Sequence, residues 1–238
     1  MKTVVISGAS AGIGLACAKH FSHVGYQVIS GARRTDKLEG LSYALDVCST
    51  DSVDEFAKFV FKHCKSPDVV INNAGMAAGV DPIVSVKEND WQQMLDTNVS
   101  GVLRFTKAFL PAMIEQKKGH VINIGSIAGH HAYAGGGVYA ATKHAVKAIN
   151  DCLRLELIGT PLRVSTISPG MVETEFSEVR LKDKQKAVEV YKGLTPLNAD
   201  DIAEAVLFMA QRPPHVNIDD IIIMPTAQYK VFKVHREE

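Results

Sequence analysis

The sequence of 238 residues predicts a single α/β domain, with a doubly wound parallel sheet of seven strands and helices on both faces. Short runs rich in Val and Ile alternate with segments of helical periodicity, which is typical of buried parallel strands joined by helices. A glycine-rich turn follows the first run, and polar or small residues follow most of the others. Because the carboxyl ends of parallel strands share one edge of the sheet, we expect these residues to meet there.

The same pattern places each element in order. Strands are predicted at residues 3–7, 27–31, 43–45, 68–71, 120–124, 163–167 and 221–224. Helices are predicted at residues 13–24, 50–64, 87–96, 102–117, 137–157 and 199–211, the last with an N-cap near Asn198. Asn98 and Gly101 interrupt the helical pattern between residues 87 and 117, and Pro111 is expected to break it.

Two segments depart from the alternation. Residues 171–198 are charged and fit neither period, so we interpret them as a mobile lid over the ligand-binding edge, within one domain of residues 1–238. The last ten residues are polar and are expected to be peripheral.

The composition excludes several classes. The 26 basic and 26 acidic residues cancel, so neither nucleic acid nor an anionic membrane is expected as a partner. No apolar run approaches 18 residues, and the first run is too short for a signal peptide, so a cytoplasmic protein is expected. No His or Cys pair has the spacing of metal ligands, so no metal site is predicted.

The first turn has the chemistry of a phosphate-binding loop. Gly8, Gly12 and Gly14 lie between a strand and a helix, together with Ser10 and Ile13. Without Cβ atoms, the backbone N–H groups and the helix N-terminus can approach a pyrophosphate closely. The spacing differs from G-x-G-x-x-G and from the P-loop, and a tight turn without a ligand is the alternative.

The second strand ends in Arg33 and Arg34, with no acidic residue before Asp36. An acid there would hold the ribose 2′-OH of NAD, whereas Arg suits the 2′-phosphate of NADP. The pair therefore favours NADP, and two solvated arginines are the alternative.

Later strand ends add further cofactor candidates. Asp46 and Val47 follow the third strand, where the Asp can reach a purine amine or form a turn. Asn73, Ala74 and Gly75 follow the fourth and place an amide and small residues beside the nucleotide.

One stretch carries proton-transfer chemistry. Tyr139 and Lys143 are one helical turn apart, and Ser126 lies thirteen residues before the Tyr. A neighbouring ammonium lowers the pKa of a Tyr, and a Ser hydroxyl can hold a carbonyl or alcohol oxygen. This is what a carbonyl reductase needs. An interfacial Tyr beside a solvated Lys is the alternative.

From about residue 3 to residue 228, these motifs in order closely resemble the short-chain dehydrogenase/reductase family. The resemblance implies a single Rossmann-type domain and a catalytic tetrad of Asn98, Ser126, Tyr139 and Lys143. Tyr139 would be the general acid and base, Ser126 would hold the substrate oxygen, and Lys143 would lower the pKa of Tyr139 and contact the ribose. Asn98 would position a water.

The resemblance also implies a nicotinamide-contacting segment that contains Pro169, Gly170, Val172 and Thr174. Ala11 stands where many NADP-dependent members have a basic residue. Arg33 and Arg34 are thus left to carry the preference for NADP(H).

A narrower resemblance, through residues 172–180 and 225–228, is to the NADP-dependent 3-hydroxy acid dehydrogenases, which include serine and allo-threonine dehydrogenases. Their substrates carry a carboxylate, for which Arg180 is the candidate partner, with His131 and Tyr133 beside Ser126. It also implies a homotetramer formed through the helices from residues 102 and 137.

Two other functions stay open. One is a broad carbonyl or sugar reductase acting on neutral ketones. The other is a non-catalytic nucleotide-binding scaffold or redox sensor, against which the complete tetrad argues. A hydrolase is disfavoured because no G-x-S-x-G motif surrounds Ser126.

Overall fold

A computed structural model describes residues 1–237 and confirms the doubly wound α/β fold. The seven strands are β1 (Thr3–Ser7), β2 (Gln27–Ala32), β3 (Leu41–Ala44), β4 (Val69–Asn72), β5 (His120–Ile124), β6 (Arg163–Pro169) and β7 (Asp220–Ile223). All of their pairings are parallel, in the order β3-β2-β1-β4-β5-β6-β7. The order reverses between β1 and β4, which is where open α/β sheets bind ligands.

The helices join the strands across both faces. They are α1 (Gly12–His23), α2 (Thr50–Phe61), α3 (Glu88–Leu95), α4 (Gly101–Glu115), α5 (Gly137–Glu156), α6 (Glu175–Leu181), α7 (Lys184–Glu189) and α8 (Ala199–Ala210). The last of these begins with a capping box, in which Asn198 Oδ1 accepts from Asp201 N at 3.0 Å and Asp201 Oδ2 accepts from Asn198 N at 2.8 Å.

The sheet is buried on both faces, which explains the unbroken apolar runs. Along β1, Ile6 packs in the core layer with α1 and α8, whereas its neighbour Val5 packs in the opposite layer with α2 and α4. Phe56 and Phe105 are fully buried in that second layer. Each such side chain stabilises the fold by roughly 1.5–3 kcal/mol relative to an exposed position.

The expected break at Pro111 is wrong. Pro111 lies inside α4, on an exposed side, where solvent can take the carbonyl that loses its N–H partner. The interruption at Asn98 is real but takes another form, a π-helical turn over Asp96–Ser100 that joins α3 directly to α4. Strands β3 and β7 begin and end one or two residues before their predicted positions.

The last residues are mostly exposed, as expected, but they also bond to the rest of the fold. Residues 227–237 form a turn back on themselves, here called the C-terminal hairpin, with a bridge between Gln228 and Val234. Tyr229 N donates to Lys233 O at 2.8 Å, and Glu237 N donates to Gly193 O at 2.7 Å. The hairpin therefore packs against the segment predicted as a lid.

Candidate active site

A cavity of about 1000 Å³ opens at the carboxyl edge of the sheet, and most predicted site residues line it. Those residues are Gly8, Ser10, Gly12, Ile13, Arg33, Arg34, Asp46, Val47, Asn73, Ala74, Gly75, Ser126, Tyr133, Tyr139, Lys143, Pro169, Gly170, Val172, Thr174 and Arg180. Gly14, Asn98 and His131 do not line it.

The glycine loop has the geometry that its sequence predicts. Gly8 and Gly12 have φ angles of 67° and 52°, in the left-handed region that favours glycine. Helix α1 follows Ala11 without a side-chain cap, and Ala11, Gly12 and Ile13 all line the cavity. The uncapped N–H groups of α1 therefore lie beside the cavity, which fits the pyrophosphate of a dinucleotide.

Gly14 serves packing instead. A Cβ atom there would lie 2.6 Å from Gly8 O and would also overlap the Asn73 amide. That amide donates to Ser7 O at 3.0 Å and to Gly8 O at 2.9 Å, so it holds the glycine loop to the end of β4. Gly14 therefore allows the close packing of helix on strand, and it does not itself line the cavity.

The two arginines after β2 differ in their partners. Arg34 donates to Glu175 Oε2 at 2.8 Å, and Lys37 lies 4.0 Å from the same carboxylate. Arg33 has no hydrogen-bond or ion-pair partner among residues 1–237. Since both line the cavity, Arg33 is the freer cation for a phosphate there.

Tyr139, Ser126 and Lys143 meet at the cavity wall. Burial raises the pKa of Tyr139 to about 12, while a hydrogen bond with Ser126 and the charge of Arg180 act to lower it. Burial lowers the pKa of Lys143 to about 8, and its ammonium donates to Ile124 O at 2.8 Å. Lys143 Nζ lies 5.9 Å from the centre of the Tyr139 ring. In this structure burial is the largest influence on the pKa of Tyr139, and the lowering effect expected from Lys143 stays a prediction.

Asn98 acts behind the cavity wall. It is fully buried in the π-helical turn and donates to Met76 O at 2.7 Å and Thr142 Oγ1 at 3.1 Å. Its Oδ1 accepts from Met76 N at 2.8 Å. Asn98 therefore ties the loop after β4 to the helix that carries Tyr139. Turns of this kind occur frequently at functional sites.

The predicted substrate cation lies close to the ring of Tyr139. Arg180, from α6, donates to Gly79 O and to Tyr133 Oη, each at 2.9 Å. Its guanidinium carbon lies 5.6 Å from the centre of the Tyr139 ring. His131 instead lines a second cavity, which shares Tyr133 with the main one.

The C-terminal hairpin supplies wall residues that the sequence pattern did not reveal. They are Gln228, Val231, Phe232, Val234 and Arg236. The sequence did not indicate these residues because their neighbours in the chain are mostly polar. Two glycines lie where the hairpin packs against the rest of the fold. A Cβ atom at Gly170 would overlap the Gln228 amide, and one at Gly193 would come within 2.5 Å of Glu237 O.

Within residues 1–237, no group of three or more His, Cys, Asp or Glu side chains could hold a metal ion. No helix in the same range is both long and apolar enough to span a bilayer.

A glycine loop at an uncapped helix N-terminus, facing a Tyr, a Lys and a Ser across one cavity, defines a dinucleotide-dependent oxidoreductase of the Rossmann type. Residues 2–185 match the family model described as short chain dehydrogenase. The chain belongs to the short-chain dehydrogenase family.

Similar proteins cover nearly the whole chain. The NADP-dependent 3-hydroxy acid dehydrogenase YdfG of Salmonella typhi is 41% identical over 245 residues, 98% of this chain and 99% of that protein. Serine 3-dehydrogenase of Agrobacterium fabrum (strain C58) is 39% identical over 246 residues, 99% of this chain and 98% of that protein. The closed form of a serine dehydrogenase complexed with NADP⁺ superimposes with a TM-score of 0.92 at 39% identity, covering 99% and 100% of the two chains.

Proposed function

We propose that the protein transfers a hydride between NADP(H) and a small 3-hydroxy acid or its 3-oxo acid, with Tyr139 as general acid and base. The observation that carries the substrate class is the position of Arg180, whose guanidinium lies 5.6 Å from the centre of the Tyr139 ring. A substrate that presents its oxygen to Tyr139 can then place a carboxylate against this cation. Relatives named for NADP, 3-hydroxy acids and serine support the same proposal.

The cofactor is NADP(H). When bound, it accepts or supplies the hydride at its nicotinamide ring. The glycine loop and the N-terminus of α1 fit its pyrophosphate, and Arg33 is the free cation for its 2′-phosphate. Arg34 also lines this end of the cavity but already pairs with Glu175.

The proton chemistry follows from the side chains. Because the pKa of Tyr139 is raised to about 12, the phenol is neutral near pH 7 and can donate its proton to a carbonyl oxygen during reduction. In oxidation the same group must accept the proton of the alcohol. Ser126 holds the reacting oxygen, and its hydroxyl also acts to lower the pKa of Tyr139. Arg180 contributes a positive charge that favours the phenolate.

Substrate choice and the Arg180→Ala variant test the proposal together. The wild type is expected to oxidise serine, allo-threonine or 3-hydroxypropionate with NADP⁺. Removing a charge-assisted hydrogen bond costs about 1.5–3 kcal/mol, so Arg180→Ala should raise KM for these acids roughly 10- to 100-fold and leave KM for neutral alcohols nearly unchanged. Steady-state kinetics over both substrate sets measures the difference.

Lys182→Ala is the matched control, since Lys182 is a mostly exposed cation of the same segment that lies 3.6 Å from Asp90. Equal losses of Arg180→Ala on acids and neutral alcohols would reject the carboxylate role. Turnover of neutral ketones without any acid would instead identify a broad carbonyl or sugar reductase. An absence of turnover with every substrate would favour a non-catalytic scaffold.

A further inference from the structure

One phenol hydroxyl bonds to both sides of the turn from which helix α6 starts. Tyr191, which follows α7, donates from Oη to Val172 O at 2.7 Å. The same Oη lies 2.6 Å from Ser177 Oγ, in the first half of α6. Because a phenol has one proton and this one goes to Val172, Ser177 is the donor in the second bond. The hydroxyl of Tyr191 therefore fixes the direction in which α6 leaves the segment after β6.

The two bonds are sheltered from solvent. Burial raises the pKa of Tyr191, so its hydroxyl keeps its proton near neutral pH. Ser177 is only 7% exposed. Water therefore has little access to replace either bond if the phenol oxygen is removed.

The backbone around Tyr191 is anchored independently of α6. Arg236, from the C-terminal hairpin, donates to the carbonyls of Val190 and Lys192, the two neighbours of Tyr191. Glu237 N donates to Gly193 O at 2.7 Å. The phenol thus extends from a fixed turn and can hold α6 in place.

Helix α6 presents two groups to the active site. Arg180 lies three residues after Ser177, about one turn further along the same side of the helix. Phe176 packs against Tyr139, with the ring centres 5.8 Å apart. Arg180 is also attached to the loop after β4, since its Nε donates to Gly79 O at 2.9 Å and its carbonyl accepts from Gly79 N at 2.8 Å. A rotation of α6 would therefore move the guanidinium relative to Tyr139.

A third contact of α6 is weaker. Glu175 pairs with Arg34 at 2.8 Å, but the two side chains are 48% and 49% exposed, so solvent screens the pair. The sheltered bonds of Tyr191 hold the start of the helix more firmly than this ion pair does.

We propose that Tyr191 is a positioning residue, which sets the direction of α6 and thereby places the Arg180 guanidinium for the substrate carboxylate. The inference rests on the proposed function for the role of Arg180. Tyr191 lines the main cavity, but its proton is already used in the bond to Val172, so it acts through Arg180 and not as a donor to the substrate.

Tyr191→Phe removes only the hydroxyl and tests the proposal. At saturating NADP⁺, KM for 3-hydroxypropionate is expected to rise about 2- to 10-fold, the effect of a lost hydrogen bond, with kcat nearly unchanged. KM for neutral secondary alcohols should stay at the wild-type value, because they do not use Arg180. Ser177→Ala should act in the same direction, and it should cost less in Tyr191→Phe than in the wild type, since both act through one hydroxyl.

Tyr43→Phe is the matched control, because Tyr43 is a partly exposed Tyr that stacks on Phe59 and lines neither cavity. Its KM values should equal those of the wild type. If Tyr191→Phe leaves KM for the acid unchanged, or raises KM equally for acids and neutral alcohols, the inference is overturned.

Hydrogen exchange gives a readout that does not depend on turnover. With NADP⁺ at saturation, the amides of residues 175–181 should exchange faster in Tyr191→Phe than in the wild type, while those of α8 should keep the wild-type rate. Unchanged exchange in α6, or faster exchange in α8 as well, would overturn the inference. A wild type that oxidises no acid would count against the proposed function alone, and the exchange of α6 would then decide the role of Tyr191.

Discussion

At the scale of single residues, the site contains two ionisable groups whose pKa values are displaced toward the neutral form. Burial raises the pKa of Tyr139 to about 12 and lowers that of Lys143 to about 8. Near neutral pH the protein therefore presents a protonated phenol beside an ammonium that is close to losing its proton. In the proposed mechanism this state suits reduction, whereas oxidation requires the phenolate that Ser126 and Arg180 favour.

A prediction about Arg33 concerns the preference of the enzyme for NADP⁺ over NAD⁺. Because Arg34 already pairs with Glu175 while Arg33 has no partner among residues 1–237, Arg33→Ala should lower the ratio of kcat/KM for NADP⁺ to that for NAD⁺. The loss is expected to be about 10- to 100-fold, the value of a charge-assisted hydrogen bond, and larger than that of Arg34→Ala.

The control for Arg33 is Arg212→Ala, since Arg212 stacks on Phe208 and lines neither cavity. Its cofactor ratio should stay at the wild-type value. An Arg33→Ala enzyme that keeps its full preference for NADP⁺ would refute the phosphate role.

At the scale of the elements, the sequence predicted what depends on periodicity and local turn chemistry. The buried strand β1, the glycine loop and the cap at Asn198 were all predictable because each is decided by neighbouring residues. The π-helical turn around Asn98 was visible only as an interruption, since its form depends on hydrogen bonds with Met76 and Thr142, which are distant in sequence. The predicted break at Pro111 was wrong because a helix can accommodate a proline on its solvent-facing side, and the sequence does not show which side of α4 faces solvent.

The prediction of a homotetramer depends on the exposed faces of helices α4 and α5. Leu103 and Ile114 on α4 are 50% and 45% exposed, and Leu155 near the end of α5 is 68% exposed. Large apolar side chains exposed on these two helices are typical of a surface that a second chain covers. Light scattering during gel filtration should give the mass of four chains, and Leu103→Glu should reduce it to two or one. Val188→Glu, on exposed α7, is the control; a wild-type monomer would contradict the prediction.

At the scale of the whole molecule, the site exists because the sheet brings distant segments to one edge. The cavity takes residues from the loops after β1, β2, β3, β4, β5 and β6 and from the C-terminal hairpin. The residues that ended strands could be assigned to this edge from the sequence alone. The hairpin could not, because its contribution rests on the packing of Gln228 against Gly170 and of Glu237 against Gly193, which no local pattern encodes.

The same architecture links the proposed substrate cation to the proton chemistry. Tyr139 and Lys143 belong to helix α5, whereas Arg180 belongs to α6. Because the charge of Arg180 also lowers the pKa of Tyr139, a change at Arg180 would affect both the proposed substrate preference and the proposed proton donor.

The most direct test of the account is the NADP⁺-dependent oxidation of 3-hydroxypropionate by the wild type and Tyr139→Phe, measured from about pH 7 to pH 10. Since the pKa of Tyr139 is raised, the phenolate fraction grows with pH through this range, and kcat/KM of the wild type is expected to rise with it. Tyr139→Phe should lower kcat/KM by about a thousandfold and remove the pH dependence, with NADP⁺ still bound at the wild-type Kd. A Tyr139→Phe enzyme that retains its activity, or a wild-type rate that falls as pH rises, would contradict the account.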